Sequence, residues 1–98
     1  MFRGRTVVLI IPALNEEEAL PPVIRAVDRT LVDRVIVGDN GSTDGTAAAA
    51  REAGAEVVFE PRRGYGSACL AALRTAPDAD LIAFMDGDGS DDPADLPA

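Results

Sequence analysis

At 98 residues the chain is long enough for one small domain and no more. Its hydrophobic fraction of 47% is enough to build a core, which excludes a disordered tail or a fibrous repeat. With 17 acidic against 9 basic residues the net charge is −8, which excludes nucleic-acid recognition by charge.

The first predicted element is residues 7–11 (VVLII). This continuous β-branched and leucine run is expected of a strand buried on both faces, and Pro12 is expected to end it. Arg3 and Arg5 before it imitate a signal peptide only faintly. The apolar run is short, and Asn15, Glu16, Glu17 and Glu18 follow it with no small-residue cleavage site. Those polar residues form a connector. A helix is predicted from about Leu20, because Pro21 and Pro22 suit a first turn, and Leu20, Val23, Ile24, Val27 and Leu31 recur at helical spacing. Residues 34–38 (RVIVG) read as the second strand, left by a tight turn at Asp39, Asn40, Gly41 and Ser42. Ser42 or Thr43 is placed to cap the next helix, with Asp44 in its first turn. That helix runs through the alanines to about Ala53, and Gly54 is a left-handed stop. Residues 56–60 (EVVFE) form the third strand and 61–66 a loop with two arginines and two glycines. A third helix is predicted from about Ser67 to Thr75, closed by Pro77. Residues 80–85 are the fourth strand, and their apolar part reads as buried.

Strands and helices thus alternate, which predicts an α/β fold with a parallel sheet, in an order such as 3-2-1-4 that puts the first strand centrally. No further strand or helix is visible before Ala98, so the chain is expected to be the amino-terminal part of a longer protein. No apolar stretch approaches the ~20 residues of a membrane span. Cys69 is the only cysteine, so no internal disulfide forms and a reducing, cytoplasmic setting is the default. Among Ala68, Leu70, Ala71 and Ala72 it reads as a small buried residue rather than a nucleophile. The lack of histidine removes the usual general base and the commonest zinc ligand.

The chemistry concentrates in residues 84–93 (FMDGDGSDDP), where Asp86, Asp88, Asp91 and Asp92 leave the end of the fourth strand. Seven aspartates lie between Asp78 and Asp95, and no basic residue follows Arg74. A solvated acidic tail is the plainer reading of that imbalance. The strand directly before it favours a site, because carboxylates this close repel one another unless a hard cation such as Mg²⁺ or Mn²⁺ sits among them. Three loops follow strands on one edge of a parallel sheet: residues 12–16 (PALNE), 39–42 (DNGS) and 86–88 (DGD). A nucleotide at that edge would touch all three. Asp39 is suited to accept hydrogen bonds from a base or ribose, Glu16 has the best claim among the three glutamates, and Asp88 with Asp86 is suited to hold a cation on a diphosphate. Arg62 and Arg63 are either solvated loop charges or phosphate contacts. Competing motifs fail. The turn after the first strand lacks G-x-G-x-x-G, the chain has no lysine for a P-loop, and an EF-hand counted from Asp86 would need glycine at Asp91 and glutamate at Pro97.

These segments together resemble the family 2 glycosyltransferases, an inverting group with a GT-A fold. IPALNEE is similar to the family's opening strand and loop, and VIVGDNGSTDGT to its V-D-D-G-S-x-D-G-T segment, with Gly38, Asp39 and Asn40 where Val-Asp-Asp is more frequent. RRGYGSA resembles the N-x-G-x-G-x-A element and FMDGDGSDDP the D-x-D region. The nearest branch is that of the polyprenyl-phosphate sugar transferases. The resemblance implies a Rossmann-like donor-binding half that transfers a sugar from a nucleoside-diphosphate sugar, with Mg²⁺ or Mn²⁺ stabilising the departing diphosphate. It implies that Pro12, Ala13, Glu16 and Asp39 line the nucleotide, that Arg63 lies near the phosphates, and that Asp86, Gly87 and Asp88 form the D-x-D element with Asp88 the leading metal ligand. The acceptor would be polyprenyl phosphate or a glycan, with the full-length protein peripheral at the inner face of a membrane. In this family the acceptor site and catalytic base follow the D-x-D strand, so residues 1–98 are expected to bind donor without catalysing alone. The alternative is a nucleotide- or metal-binding module that catalyses nothing.

Overall fold

The structure is a computed structural model that describes residues 1–86. The expectations placed on Gly87, Asp88, Asp91, Asp92 and Asp95 lie outside the described residues. Four strands, β1 (Val7–Ala13), β2 (Arg34–Asp39), β3 (Glu56–Phe59) and β4 (Leu81–Phe84), alternate with α1 (Leu20–Arg25), α2 (Thr46–Glu52) and α3 (Tyr65–Arg74). All neighbouring strands pair in parallel, in the order β3-β2-β1-β4, so the first strand is central as its uninterrupted apolar run predicts.

The two-residue period of a strand divides the core. Val7, Leu9 and Ile11 join Val35 and Val37 on one face, under Val23 and Ile24 of α1 and Ala50 of α2. Val8, Ile10 and Ile36 face the other way, against Ala72 of α3 and Ala76 just after it. Leu9, Ile10, Ile11 and Ile36 have no exposed surface, and burying each such side chain contributes about 1.5–3 kcal/mol. Among the described residues no helix is long and apolar enough to cross a membrane.

Several local expectations are corrected. Pro12 does not end β1: the strand runs on, pairing Pro12 with Gly38 and Ala13 with Asp39. The Val7 and Ala13 carbonyls accept from Asp33 and Asn40, and those of Thr6 and Ile10 from Leu81 and Met85, so alternate residues bond to opposite neighbours. The Pro12 nitrogen therefore faces the β4 side, where pairing stops at Ile10, and its missing N–H breaks no ladder bond. Helix α1 ends at Arg25 although its apolar stripe continues to the buried Val27 and half-buried Leu31. Asp28 diverts the chain: its Oδ1 accepts from the N–H and hydroxyl of Thr30 at 2.9 and 2.6 Å, a local bond that competes with helix. Helix α2 starts at Thr46 without the side-chain cap expected from Ser42 or Thr43, because both are bonded elsewhere. Helix α3 starts two residues early, at Tyr65. Among the described residues β4 is an edge strand, half-buried rather than enclosed, with Phe84 exposed.

Candidate functional site

Parallel pairing brings the carboxyl ends of β1, β2 and β3 to one edge, through the register Ala13–Asp39–Phe59. The loops leaving β1 and β2 are sewn together there. Asn15, in a left-handed conformation (φ 53°) that asparagine tolerates better than most residues, donates its N–H to Ser42 Oγ at 2.9 Å, and its Oδ1 accepts from the Thr43 N–H at 2.8 Å. The Glu16 N–H donates to Thr46 Oγ1 at 2.9 Å, and the Thr46 hydroxyl in turn donates to Asp44 Oδ1. This is where the expected capping residues are spent. The bond from Thr46, ahead of opposing desolvation, holds the Asp44 carboxyl below the usual carboxylate range.

At the end of β2, Asp39 is buried, and its Oδ1 accepts from the N–H and hydroxyl of Ser42 at 3.0 and 2.5 Å. Its described side-chain bonds all fall on Oδ1. Asn40 beside it reaches across to the segment before α3. Its Nδ2 donates to the carbonyls of Glu60 and Arg62, at 3.0 and 2.5 Å, and its Oδ1 accepts from the Gly64 N–H at 2.8 Å.

Between these loops opens a cavity of about 390 Å³ lined by Pro12, Ala13, Leu14, Asn40, Arg63, Gly64, Tyr65 and Ala68. Pro12, Ala13 and Arg63, expected from the sequence, meet here. Glu16 does not: it lies in a separate hollow of about 300 Å³ with Asn15, Glu17, Glu18, Ala19 and Asp44. Asp39 is absent from the lining and stands one residue before Asn40, which is part of it. Asp86 is half-buried just past β4. It is close enough to α3 to act on Cys69, whose thiol is pushed up by burial and then by the Asp86 carboxylate, against a hydrogen bond with Tyr65. Cys69 itself is half-buried rather than buried as the sequence suggested. Of the expected cation ligands Asp86 alone lies among the described residues, and among these no three potential metal ligands cluster. Its hard oxygen donors suit Mg²⁺ or Mn²⁺.

Arg62 and Arg63 are exposed, and among the described residues neither forms an ion pair. The sequence placed Leu14 and Asn40 at the site only as members of the loops at 12–16 and 39–42, and did not single out Gly64, Tyr65 or Ala68 as cavity walls. Two sequence signals point toward the last three: an aromatic set between two glycines, and Gly38 inside a strand, where glycine marks a close backbone approach. A Cβ at Gly38 would lie 2.3 Å from the Ala68 carbonyl oxygen. Only glycine lets α3 sit this near β2 and form the cavity wall.

Comparison with known proteins gives a consistent result. The family model for glycosyl transferase family 2 matches residues 8–98. An uncharacterized glycosyltransferase of Mycobacterium tuberculosis is 48% identical over 96% of this chain and 42% of its own length. The glucosyl-3-phosphoglycerate synthase of Mycolicibacterium smegmatis is 42% identical over 96% of this chain and 35% of its own. The crystal structure of the Mycobacterium tuberculosis synthase with Mn²⁺, UDP and glucosyl-3-phosphoglycerate superposes with a TM-score of 0.75 at 38% identity, covering 86% of this chain and 34% of that one. The same enzyme has been seen with Mg²⁺ and UDP, again at a TM-score of 0.75 and 38% identity, over 86% of this chain and 34% of that one. The chain spans less than half the length of these relatives.

Proposed function

We propose that this chain, which belongs to glycosyl transferase family 2, forms the donor-binding portion of a metal-dependent glycosyltransferase that takes glucose from UDP-glucose. The observation that carries this reading is the cavity at the carboxyl ends of β1 and β2, where Pro12, Ala13 and Arg63 meet. Ligands of open α/β sheets bind at that edge. A relative 38% identical to this chain has been crystallised with UDP and either Mn²⁺ or Mg²⁺.

In this reading Pro12, Ala13 and Leu14 supply an apolar wall for the nucleoside. Asp39, with Oδ1 committed to Ser42, offers Oδ2 to a base or ribose, whereas Glu16, in its separate hollow, is given no contact with the donor. Arg63 meets the diphosphate with a guanidinium that no described carboxylate neutralises. Asp86, with Gly87 and Asp88 following, would hold Mg²⁺ or Mn²⁺, whose charge offsets that developing on the leaving diphosphate. The acceptor is read from the synthases, one of which has been crystallised with UDP-glucose and phosphoglyceric acid. We therefore propose a small phosphorylated hydroxy acid in place of the polyprenyl phosphate or glycan suggested by the sequence resemblance.

Calorimetric titration with UDP and GDP, each with and without Mn²⁺, tests the donor site. Binding of UDP that needs the metal and exceeds that of GDP is expected, and metal-independent or base-indifferent binding would refute it. Asp88→Asn is expected to weaken Mn²⁺-dependent UDP binding severely and Asp95→Asn hardly at all, and equal losses would remove Asp88 from the metal site. Release of UDP from UDP-glucose by the full-length protein, stimulated by 3-phosphoglycerate, separates a transferase from a binding module.

A further inference from the structure

We propose that Asn40 is a positioning residue of the donor site. Its side-chain amide clamps the turn at residues 60–64 and thereby aims Arg63 at the diphosphate. The inference rests on the donor-site reading above and adds a residue that reading leaves without a task.

Asn40 is only 7% exposed. Its backbone N–H donates to the Ala13 carbonyl at 2.9 Å, which fixes it to the end of β1. Both protons of its side chain are used, on the Glu60 and Arg62 carbonyls, and its oxygen takes the Gly64 N–H. One planar group thus ties three positions of a five-residue stretch, and Arg63 sits between two of them. The guanidinium of Arg63 has no carboxylate partner among the described residues, and the clamp sets the backbone from which it extends. Apart from the half-buried Glu60 the turn is exposed, and it lies outside both apolar clusters. Loosening it would leave the core intact.

An aspartate here, as the family resemblance would lead one to expect, could donate to neither carbonyl. It would set a negative charge about where Nδ2 now lies, 2.5 and 3.0 Å from two carbonyl oxygens. The amide at position 40 and the free arginine at 63 therefore belong together.

The test uses the full-length natural protein with Mn²⁺ and compares UDP with uridine as ligands for the unsubstituted protein, Asn40→Ala, Asn40→Asp, Arg63→Gln and the Asn40→Ala/Arg63→Gln double variant. Asn40→Ala is expected to weaken UDP about tenfold or more while uridine affinity changes little, about 1.4 kcal/mol aimed at the diphosphate alone. Asn40→Asp is expected to do worse, and Asn40→Ala to add little once Arg63 is gone. Exchange of the Gly64 amide is expected to quicken in Asn40→Ala more than that of the β1 amides. Equal losses for UDP and uridine, multiplying losses in the double variant, or unaltered Gly64 exchange would each overturn the role of Asn40 while the donor site stands. If the unsubstituted protein fails to bind UDP, the donor reading itself falls and takes this role with it.

Discussion

At Gly38 the added Cβ would meet the Ala68 carbonyl oxygen at 2.3 Å and its carbonyl carbon at 2.9 Å, both backbone atoms that cannot swing aside. Relief requires α3 to move off the sheet, and overpacking of this kind costs about 1–3 kcal/mol. Gly38→Ala is therefore expected to lower stability by about 2 kcal/mol in denaturant titrations, and Gly38→Val by more, with UDP affinity falling because Ala68 lines the cavity. Asp39 should behave in the opposite way. An asparagine Oδ1 can still accept both bonds from Ser42, so Asp39→Asn is expected to change the melting temperature little. It replaces the free Oδ2 acceptor with a donor, and a tenfold or greater loss of UDP affinity is expected by calorimetry. A large loss of stability with unchanged binding would make Asp39 a turn residue and nothing more. Asp39 was legible in the sequence as a polar residue ending a strand. Gly38 was legible only as a departure from the more frequent valine, because the reason for it lies on α3, thirty residues away.

The loops after β1 and β2 act as one element because Thr46 joins them. Its side chain is fully buried, accepts from the Glu16 N–H and donates to Asp44. Thr46→Val keeps the shape and removes the hydroxyl, leaving the half-buried Glu16 N–H without its acceptor at a cost of about 1–3 kcal/mol, while Asp44 Oδ1 keeps the Thr46 N–H. Thr46→Ser keeps the hydroxyl and is expected to cost less than half as much in the same denaturation experiment. If the two variants are equally destabilised, the methyl group rather than the hydroxyl matters. Strands and helices were largely legible, since hydrophobic period needs only neighbouring residues. The ends were not. Ser42 and Thr43 have good capping side chains, but Asn15 and Asp39 compete for them across the loop junction, and α1 stops where Asp28 forms its own turn.

For the whole molecule, acid stability follows from where the carboxylates are bonded. Asp33 is held below the usual range by the Val7 N–H and then by the Met1 ammonium, Asp44 and Asp28 by the hydroxyls of Thr46 and Thr30, and Glu56 by the Arg34 guanidinium. A carboxyl depressed in the folded state contributes stability that is complete above its unfolded value, about pH 4. That contribution is lost as the pH falls through the depressed value. The melting temperature is thus expected to be level from pH 7 to about 5 and to fall below about 4, less steeply in Asp33→Asn. A flat profile down to pH 3 would mean these bonds do not distinguish the folded chain from the unfolded one. What the sequence by itself determined is the alternation of strands and helices, the central place of the first strand and the family. These follow from the spacing of apolar residues and from the order of short polar motifs, both of which are local along the chain. The tertiary structure alone decided that Glu16 and Arg63 stand in different hollows, that Pro12 is part of the sheet and that Asn40 holds the turn carrying Arg63. Each of those depends on which atoms meet after residues 20 to 60 positions apart have packed, and spacing along a chain carries no record of that.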